Sequence, residues 1–275
     1  MRALLPEPSE PVNLVEMYAR GLPPPGTMPF VRVNMVSSLD GAVAVAGRAG
    51  GLGGPGDKQL FRVLRSLADV VLVGAGTFRV ERYGAVELPL DLQHLRQQRG
   101  QGAAPVLAIV TQSCQLDWKS SAFRALPRPI VITPGNTDAY ALAQAREAAD
   151  VLTTGSGAVN LVAALKALAQ HGYHHVLCEG GPTLNTGLAA AQLIDELCLT
   201  LSPQLAGCVG GVLLGGWLGS AGVWLSRTND SGERVFRSQP LTQLVRLGLV
   251  HLLEDDGYLF LRMAAAHNGG SAPEA

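Results

Sequence analysis

The stretch of this 275-residue chain with the clearest chemical content is Glu179-Gly-Gly-Pro-Thr-Leu-Asn185. The short apolar run Val176-Leu-Cys178 before it has the character of a strand covered on both faces. Glu179 places a carboxylate where such a strand leaves its sheet. Gly180 and Gly181 allow a sharp turn and a close backbone approach, and Pro182 suits the first position of a helix that Thr183, Leu184 and Asn185 continue. A strand, a glycine turn and a helix start together offer unpaired N–H groups and the positive end of a helix dipole, which suits a phosphate or diphosphate. The alternative is an ordinary strand-to-helix connection, for which one glycine would suffice.

Two further strand ends have the same character. Gly74-Ala-Gly-Thr77 follows the run at residues 70–73, and Thr153-Thr-Gly-Ser-Gly157, with Gly155 at its centre, follows Val151-Leu152. Ligands of open α/β sheets bind beyond the carboxyl ends of strands, so these ends suit a nucleotide. Gly74 and Gly76 do not make a Rossmann fingerprint, because Arg79 stands where the third glycine is needed and no ribose-binding acid follows at the usual distance. In Ser37-Ser-Leu-Asp-Gly41, Asp40 can cap the next turn or face a ligand. Residues 47–56 hold six glycines in ten, either a mobile cover for a ligand or a flexible surface loop. His171, His174 and His175 resemble a metal cluster, but they straddle a helix end and a strand start, where capping is the simpler role.

The elements that must position these groups alternate between strand and helix. Strands are expected at residues 30–36, 70–73, 106–110, 130–132, 176–178 and 195–201, with a late pair at 244–253 and 258–263 turning at Glu254-Asp-Asp-Gly257. Helices are expected from an N-cap at Asp57 to Ala68, weakly at 92–98, and at 139–149, 159–170 and 183–192. This alternation predicts a single α/β domain over residues 29–263, with a mostly parallel central sheet, helices on both faces and an antiparallel C-terminal hairpin. Residues 1–28, with a short amphipathic helix at 14–19, read as a partly ordered arm, and 264–275 as a disordered tail.

Composition narrows the function classes. A formal net charge of −1 creates no field to attract nucleic acid or an anionic membrane, so an anion must be held locally. Cys114, Cys178, Cys198 and Cys208 have no paired spacing and read as reduced, buried thiols of a cytoplasmic protein without a metal site. The uncharged stretch 197–226 repeats glycine at 207, 211, 215 and 219, in the manner of a membrane helix interface. Seven glycines and Pro203 make it a poor helix, so a strand and a glycine-rich loop at a subunit contact are expected instead.

Taken together, Val-Ser-Ser-Leu-Asp-Gly-x-Val-Ala at residues 36–44, Arg65, Gly-Ala-Gly-Thr at 74–77 and Glu-Gly-Gly-Pro-Thr-Leu at 179–184 resemble the reductase domain of riboflavin biosynthesis, related in fold to dihydrofolate reductase. The resemblance runs from about residue 30 to 263, without the H-x-E and P-C-x-x-C elements of the deaminase that often precedes that domain, so it implies a stand-alone form. It implies NADPH as cofactor, reduction of a 5-amino-6-(5-phosphoribosylamino)uracil-type pyrimidine to its ribityl form, and a homodimer. On the cofactor side it points to Val36 and Gly51 flanking the nicotinamide. It adds Thr77, Ser113 near the 2′-phosphate, and the turn from Gly181 through Pro182, Thr183, Leu184 and Asn185 to Gly187; the strand-end reading adds Gly74, Gly76, Gly155 and Gly180. On the substrate side it points to Arg65, Glu81 and Glu179, and Asp40, within the shared signature, is a further candidate there. From the residues alone, Arg65 could equally be a solvated helix position and Glu81 an ordinary loop acid. The chain departs from the family pattern at Ala42, where lysine is frequent, at Ala49 and Gly51, which stand for serine and tryptophan, and at Glu81, which stands for aspartate. These departures keep a pterin reductase and a non-catalytic nucleotide-binding module open as alternatives.

Overall fold

A computed structural model describes residues 1–207, 222–228, 234–239, 241 and 245–266. The strands are β1 (Arg2–Leu5), β2 (Phe30–Ser38), β3 (Val70–Gly74), β4 (Val106–Val110), β5 (Ile130–Thr133), β6 (Asp150–Thr153), β7 (His175–Cys178), β8 (Glu196–Ser202), β9 (Gly222–Thr228), β10 (Arg234–Gln239), β11 (Leu247–Asp255) and β12 (Tyr258–Ala265). The helices are α1 (Leu14–Ala19), α2 (Pro55–Leu67), α3 (Ala75–Val80), α4 (Leu90–Gln98), α5 (Ala139–Ala148), α6 (Leu161–Gln170) and α7 (Pro182–Ala190).

Ten strands form one sheet in the order β1-β11-β12-β8-β2-β7-β3-β4-β5-β6, and β9 pairs with β10 separately. From β8 to β6 all neighbours are parallel, while β12, β11 and β1 add on antiparallel. The expected architecture is therefore found. The pleat explains how the sheet is covered on both sides. Val71 and Val73 of β3 pack with Leu60, Leu64 and Leu67 of α2, whereas Val70 and Leu72 pack with Leu165 and Leu168 of α6 and Leu184 and Leu188 of α7. Near-continuous apolar strands are the sequence mark of such two-sided burial.

Several local expectations shift. Residues 2–5 are not a loose arm: they form β1, hydrogen-bonded along β11, with Arg2 paired to Glu254 at 2.8 Å. Four residues of mixed pattern carry too little periodicity to announce an edge strand. The chain beyond Met263 continues β12 to Ala265; residues 267–275, within the expected tail, lie outside the described residues. The N-cap of α2 is Gly54 with Pro55 in the first turn, which moves Asp57 inside that turn. Gly74-Ala-Gly-Thr77, expected as a strand end, runs directly into the helix α3, with Gly74 as its N-cap. The hairpin turn holds Asp256 at φ 51° and Gly257 at φ 80°, matching its sequence signal. Of the glycine-rich stretch, residues 208–221 lie outside the described residues, and 222–228 are strand β9.

Candidate active site

The parallel strands β2, β7, β3 and β4 end on one side of the sheet, and a cleft of about 1150 Å³ opens there. This is the crevice where doubly wound sheets hold ligands. The volume exceeds the roughly 300–1,000 Å³ of one small-molecule site, so two ligands can share it. Its floor is Val36 of β2, Gly74, Gly76 and Thr77 at the start of α3, Thr111 to Ser113 after β4, and Gly181 to Leu184 at the start of α7. The far wall is α2, with Asp57, Phe61 and Arg65, four residues apart on one helix face. The loop residues Ala49, Gly50 and Gly53 and residues 81–85 complete it.

The two glycines of the central turn have separate reasons to be glycine. Gly180 sits at φ +85°, where an L side chain is strained, and its carbonyl accepts from Gly74 N–H at 2.7 Å. At Gly181, a Cβ would run into Thr77 Oγ1 of the neighbouring α3. The starts of α3 and α7 are thus drawn together. The N-cap of α7 carries no side-chain hydrogen bond and its first intrahelical donor is Asn185 N–H, so the Thr183 and Leu184 amides have no helical acceptor.

An ion-paired group stands across the cleft. Arg65 Nε and Nη2 donate to both oxygens of Glu179, at 2.7 and 2.8 Å, and the Tyr83 hydroxyl donates to Glu179 Oε2 at 2.7 Å. Phe61 lies under the guanidinium, 4.0 Å from the ring centre. The Glu179 side chain is 2% exposed and that of Arg65 16%, so the pair is desolvated on the carboxylate side and open on the guanidinium side. Burial, reinforced by the Glu179 charge, pushes the Tyr83 phenol well above its ordinary range, so it stays a donor. Arg65 Nη1 makes no hydrogen bond among the described residues, which leaves a cationic fork edge for an incoming anion. Glu81 holds the glycine loop instead, Oε1 accepting from Ala49 N–H at 2.8 Å.

Twelve of the positions singled out from sequence thus line one cleft: Val36, Gly74, Gly76, Thr77, Ser113, Gly181, Pro182, Thr183 and Leu184, with Arg65, Glu81 and Glu179. Asp40, Gly51, Gly155, Gly180 and Asn185 stand outside its wall. Asp40 accepts from Ser38 Oγ and from the amides of Ala206 and Gly207, contacts that draw its carboxyl down to about 2, so it ties two loops together. Gly51 lies against Val45. At Gly155, φ is +78° and a Cβ would meet the Ala158 carbonyl, so that glycine serves its own turn. Gly180 and the fully buried Asn185, whose Oδ1 faces Cys178 Sγ, support the turn from beneath. Ala42 is 1% exposed, with its N–H bonded to Ser38 Oγ.

Tyr83, Phe61 and the cleft-facing role of Asp57 were not anticipated. The spacing 57, 61, 65 was a readable signal once Arg65 was singled out; Tyr83 had none. The three histidines serve locally: His171 Nδ1 meets the Ala167 carbonyl at 2.7 Å, and the His174 and His175 amides donate to Asp69. Cys114, Cys178 and Cys198 are free and buried, and Cys208 lies outside the described residues. Among the described residues no group of His, Cys, Asp and Glu could hold a metal ion, and no helix is long and apolar enough to cross a membrane.

The sequence matches the RibD C-terminal domain over residues 29–226. The chain belongs to that family. Within it, the 2,5-diamino-6-ribosylamino-4(3H)-pyrimidinone 5′-phosphate reductase of Archaeoglobus fulgidus is 26% identical over 180 residues, covering 65% of this chain and 82% of that one. Its counterpart in Methanothermobacter thermautotrophicus is 28% identical over 182 residues, covering 65% and 80%. A pyrimidine reductase-like protein of Corynebacterium diphtheriae superposes with a TM-score of 0.75 at 26% identity, covering 92% of this chain and 99% of that one. The riboflavin biosynthesis reductase of Saccharomyces cerevisiae, with a TM-score of 0.61 at 18% identity over 90% and 94% of the two chains, shares the fold. The RibD C-terminal relatives are thus oxidoreductases acting on a phosphorylated pyrimidine.

Proposed function

We propose that this protein is an NADPH-dependent reductase that converts the ribosylamino group of a phosphorylated aminopyrimidine to the ribityl form in riboflavin biosynthesis. The observation that carries this reading is the pairing, across one cleft, of an uncapped helix start with an ion-paired arginine that keeps a donor edge open.

The chain's own residues fit a dinucleotide. Gly76, where a Cβ would meet nothing within 4 Å, gives open space beside the Thr183 and Leu184 amides and Thr77 Oγ1, so a diphosphate can approach the backbone. Ser113, exposed at the end of β4, suits the 2′-phosphate, and Val36 suits the nicotinamide. When bound, NADPH supplies the hydride. Arg65 holds the substrate phosphate through Nη1, while Glu179 and Tyr83 hold Arg65 in a fixed rotamer. Orientation is then the protein's main contribution, because a positioned donor and acceptor need little further catalysis. Glu81 and the glycine loop close the substrate end.

Loss of 340-nm absorbance on mixing enzyme and NADPH with the phosphorylated aminopyrimidine is the expected result. Oxidation by dihydrofolate but not by the pyrimidine would favour a pterin reductase, and no oxidation by either would leave a nucleotide-binding module. NADPH should raise the melting temperature more than NADH does; equal shifts would count against a 2′-phosphate site. A homodimer and a cytoplasmic location belong to the same proposal, the first tested by size exclusion with light scattering.

A further inference from the structure

One buried cation has no part in the roles above. Arg96 of α4 is 2% exposed and makes no ion pair among the described residues. Burial lowers its pKa to about 10, against the pull of the Asp69 charge, so it stays cationic at neutral pH. A buried guanidinium without an acid is costly unless its donors find acceptors. Here main-chain carbonyls serve. Arg96 Nε donates to Gly102 at 2.7 Å, and Nη1 donates to Ser66 at 3.2 Å, to Arg65 at 3.5 Å and to Ala68.

The carbonyls of residues 65, 66 and 68 close α2. Ala68 is its C-cap, and the Ala68 N–H also donates to the Arg65 carbonyl, at 3.3 Å. The main chain of Arg65 is thus gripped from α4, while its side chain reaches across to Glu179. The same segment holds the strand that delivers Glu179. The Gln101 side chain donates to Asp69 Oδ1 at 2.6 Å, and the Gln101 amide donates to the Arg96 carbonyl at 2.9 Å. Asp69 Oδ2 accepts from the His174 and His175 amides, at 2.8 and 2.9 Å, where β7 begins. Residues 96–102 therefore tie the end of α2 to the start of β7. A solvated lysine or arginine would cap a helix end without the cost of burial, so this arrangement exceeds what capping needs.

We propose that Arg96 is a positioning residue for the substrate phosphate: by fixing the last turn of α2 against β7, it keeps Arg65 seated on Glu179 with Nη1 open to the cleft. This deepens the reductase reading and rests on it for the identity of the anion. A two-pronged contact between a guanidinium and a phosphate tolerates little displacement of its backbone, on the order of 1 Å. The role needs arginine. A lysine keeps the charge at the helix end, but a single ammonium cannot span the carbonyls of α2 and that of Gly102 as the planar fork does.

The test separates placement from stability. In Arg96→Lys, KM for the phosphorylated aminopyrimidine should rise about tenfold, while kcat, NADPH affinity and KM for the dephosphorylated compound stay within about twofold. A cap that only stabilised the helix would lower the melting temperature and leave KM per folded molecule unchanged. Calorimetry with ribose 5-phosphate on the NADPH-bound enzyme should show the same loss without turnover. Combined with Arg65→Lys, Arg96→Lys should add no further phosphate penalty, because it acts through Arg65. Should Arg96→Lys not fold, Gln101→Leu, which cuts the tie to Asp69, should show the same split at smaller size. An unchanged KM in whichever variant folds, equal rises for both compounds, additive penalties in the double variant, or no binding of ribose 5-phosphate to the wild type would overturn the proposal. Ribose 5-phosphate binding that Arg96→Lys weakens, without oxidation of NADPH by the phosphorylated pyrimidine, would overturn the reductase reading and leave the role of Arg96 standing.

Discussion

Two buried ionic clusters in this molecule differ in a way that separates structure from function. In the first, Glu179 holds Arg65 and Tyr83 at the wall of the cleft. In the second, Glu196 of β8 lies between Arg32 of β2 and Arg262 of β12, with the Arg32 and Glu196 side chains each 5% exposed. Arg32 also donates to the Tyr18 carbonyl at 3.0 Å, and Arg262 to those of Met17 and Arg20 at 2.8 and 2.9 Å. The second cluster thus pins the last turn of α1 to the sheet, cations against the negative end of the helix. It is deeper and carries one more charge, yet it faces no cleft. The first leaves Arg65 Nη1 uncommitted toward a cavity. Burial of charge does not by itself mark an active site; an unfilled hydrogen-bond position facing open volume does.

If that distinction is right, damage to the two clusters should read out differently. Glu196→Gln leaves two guanidinium groups buried with only neutral acceptors, and should cost about 3–5 kcal/mol in a urea melt. Activity per folded molecule should be retained; a neutral substitution would break the comparison. Arg65→Lys should instead leave the melt nearly unchanged and raise KM for phosphorylated substrate about 10- to 100-fold, with little change for the dephosphorylated one, because an ammonium cannot reproduce the fork. Gly181→Ala sets a Cβ against Thr77 and should weaken NADPH about tenfold in a fluorescence titration, a loss of roughly 1.4 kcal/mol. Tyr83→Phe removes one neutral donor to Glu179 and should lower kcat/KM only a few-fold, in line with about 1 kcal/mol for such a bond.

A pH slope is expected on the structural side. His251 packs edge-on against Tyr18, ring centres 4.7 Å apart, and burial followed by the Arg262 charge lowers its pKa from 6.5 to about 4. The unfolded chain takes up that proton below pH 6.5 and the folded one resists it until about 4, so stability should be full above 6.5 and fall across that window. His251→Gln should flatten the slope in melts between those limits.

The sequence carried the sheet because β3, β4, β5 and β7 are apolar runs bounded by turns, and local pattern suffices for such strands. It carried the cleft because Gly180, Gly181 and Pro182 declare a turn whatever surrounds them. It could not show that Arg65 and Glu179, 114 positions apart, spend their charges on each other, since only the folded chain brings them together. Nor could it separate Asp57 as a helix cap from Asp57 as a cleft carboxyl. That choice turned on Gly54 capping the helix in place of Asp57, so that Pro55 starts it earlier. Asp40 was misleading for a related reason: its neighbours in sequence suggest a site, but its partners, Ala206 and Gly207, come from a distant loop.

The strand lengths also bear on how copies of this chain can meet. The ten-stranded sheet ends in β1 on one side and β6 on the other, each only four residues long. So brief a border offers few unpaired backbone groups to a foreign strand, and Arg2 and Asp150 place charge along it. Lateral growth into a continuous intermolecular ribbon is therefore disfavoured at both margins, and self-association must recruit another surface.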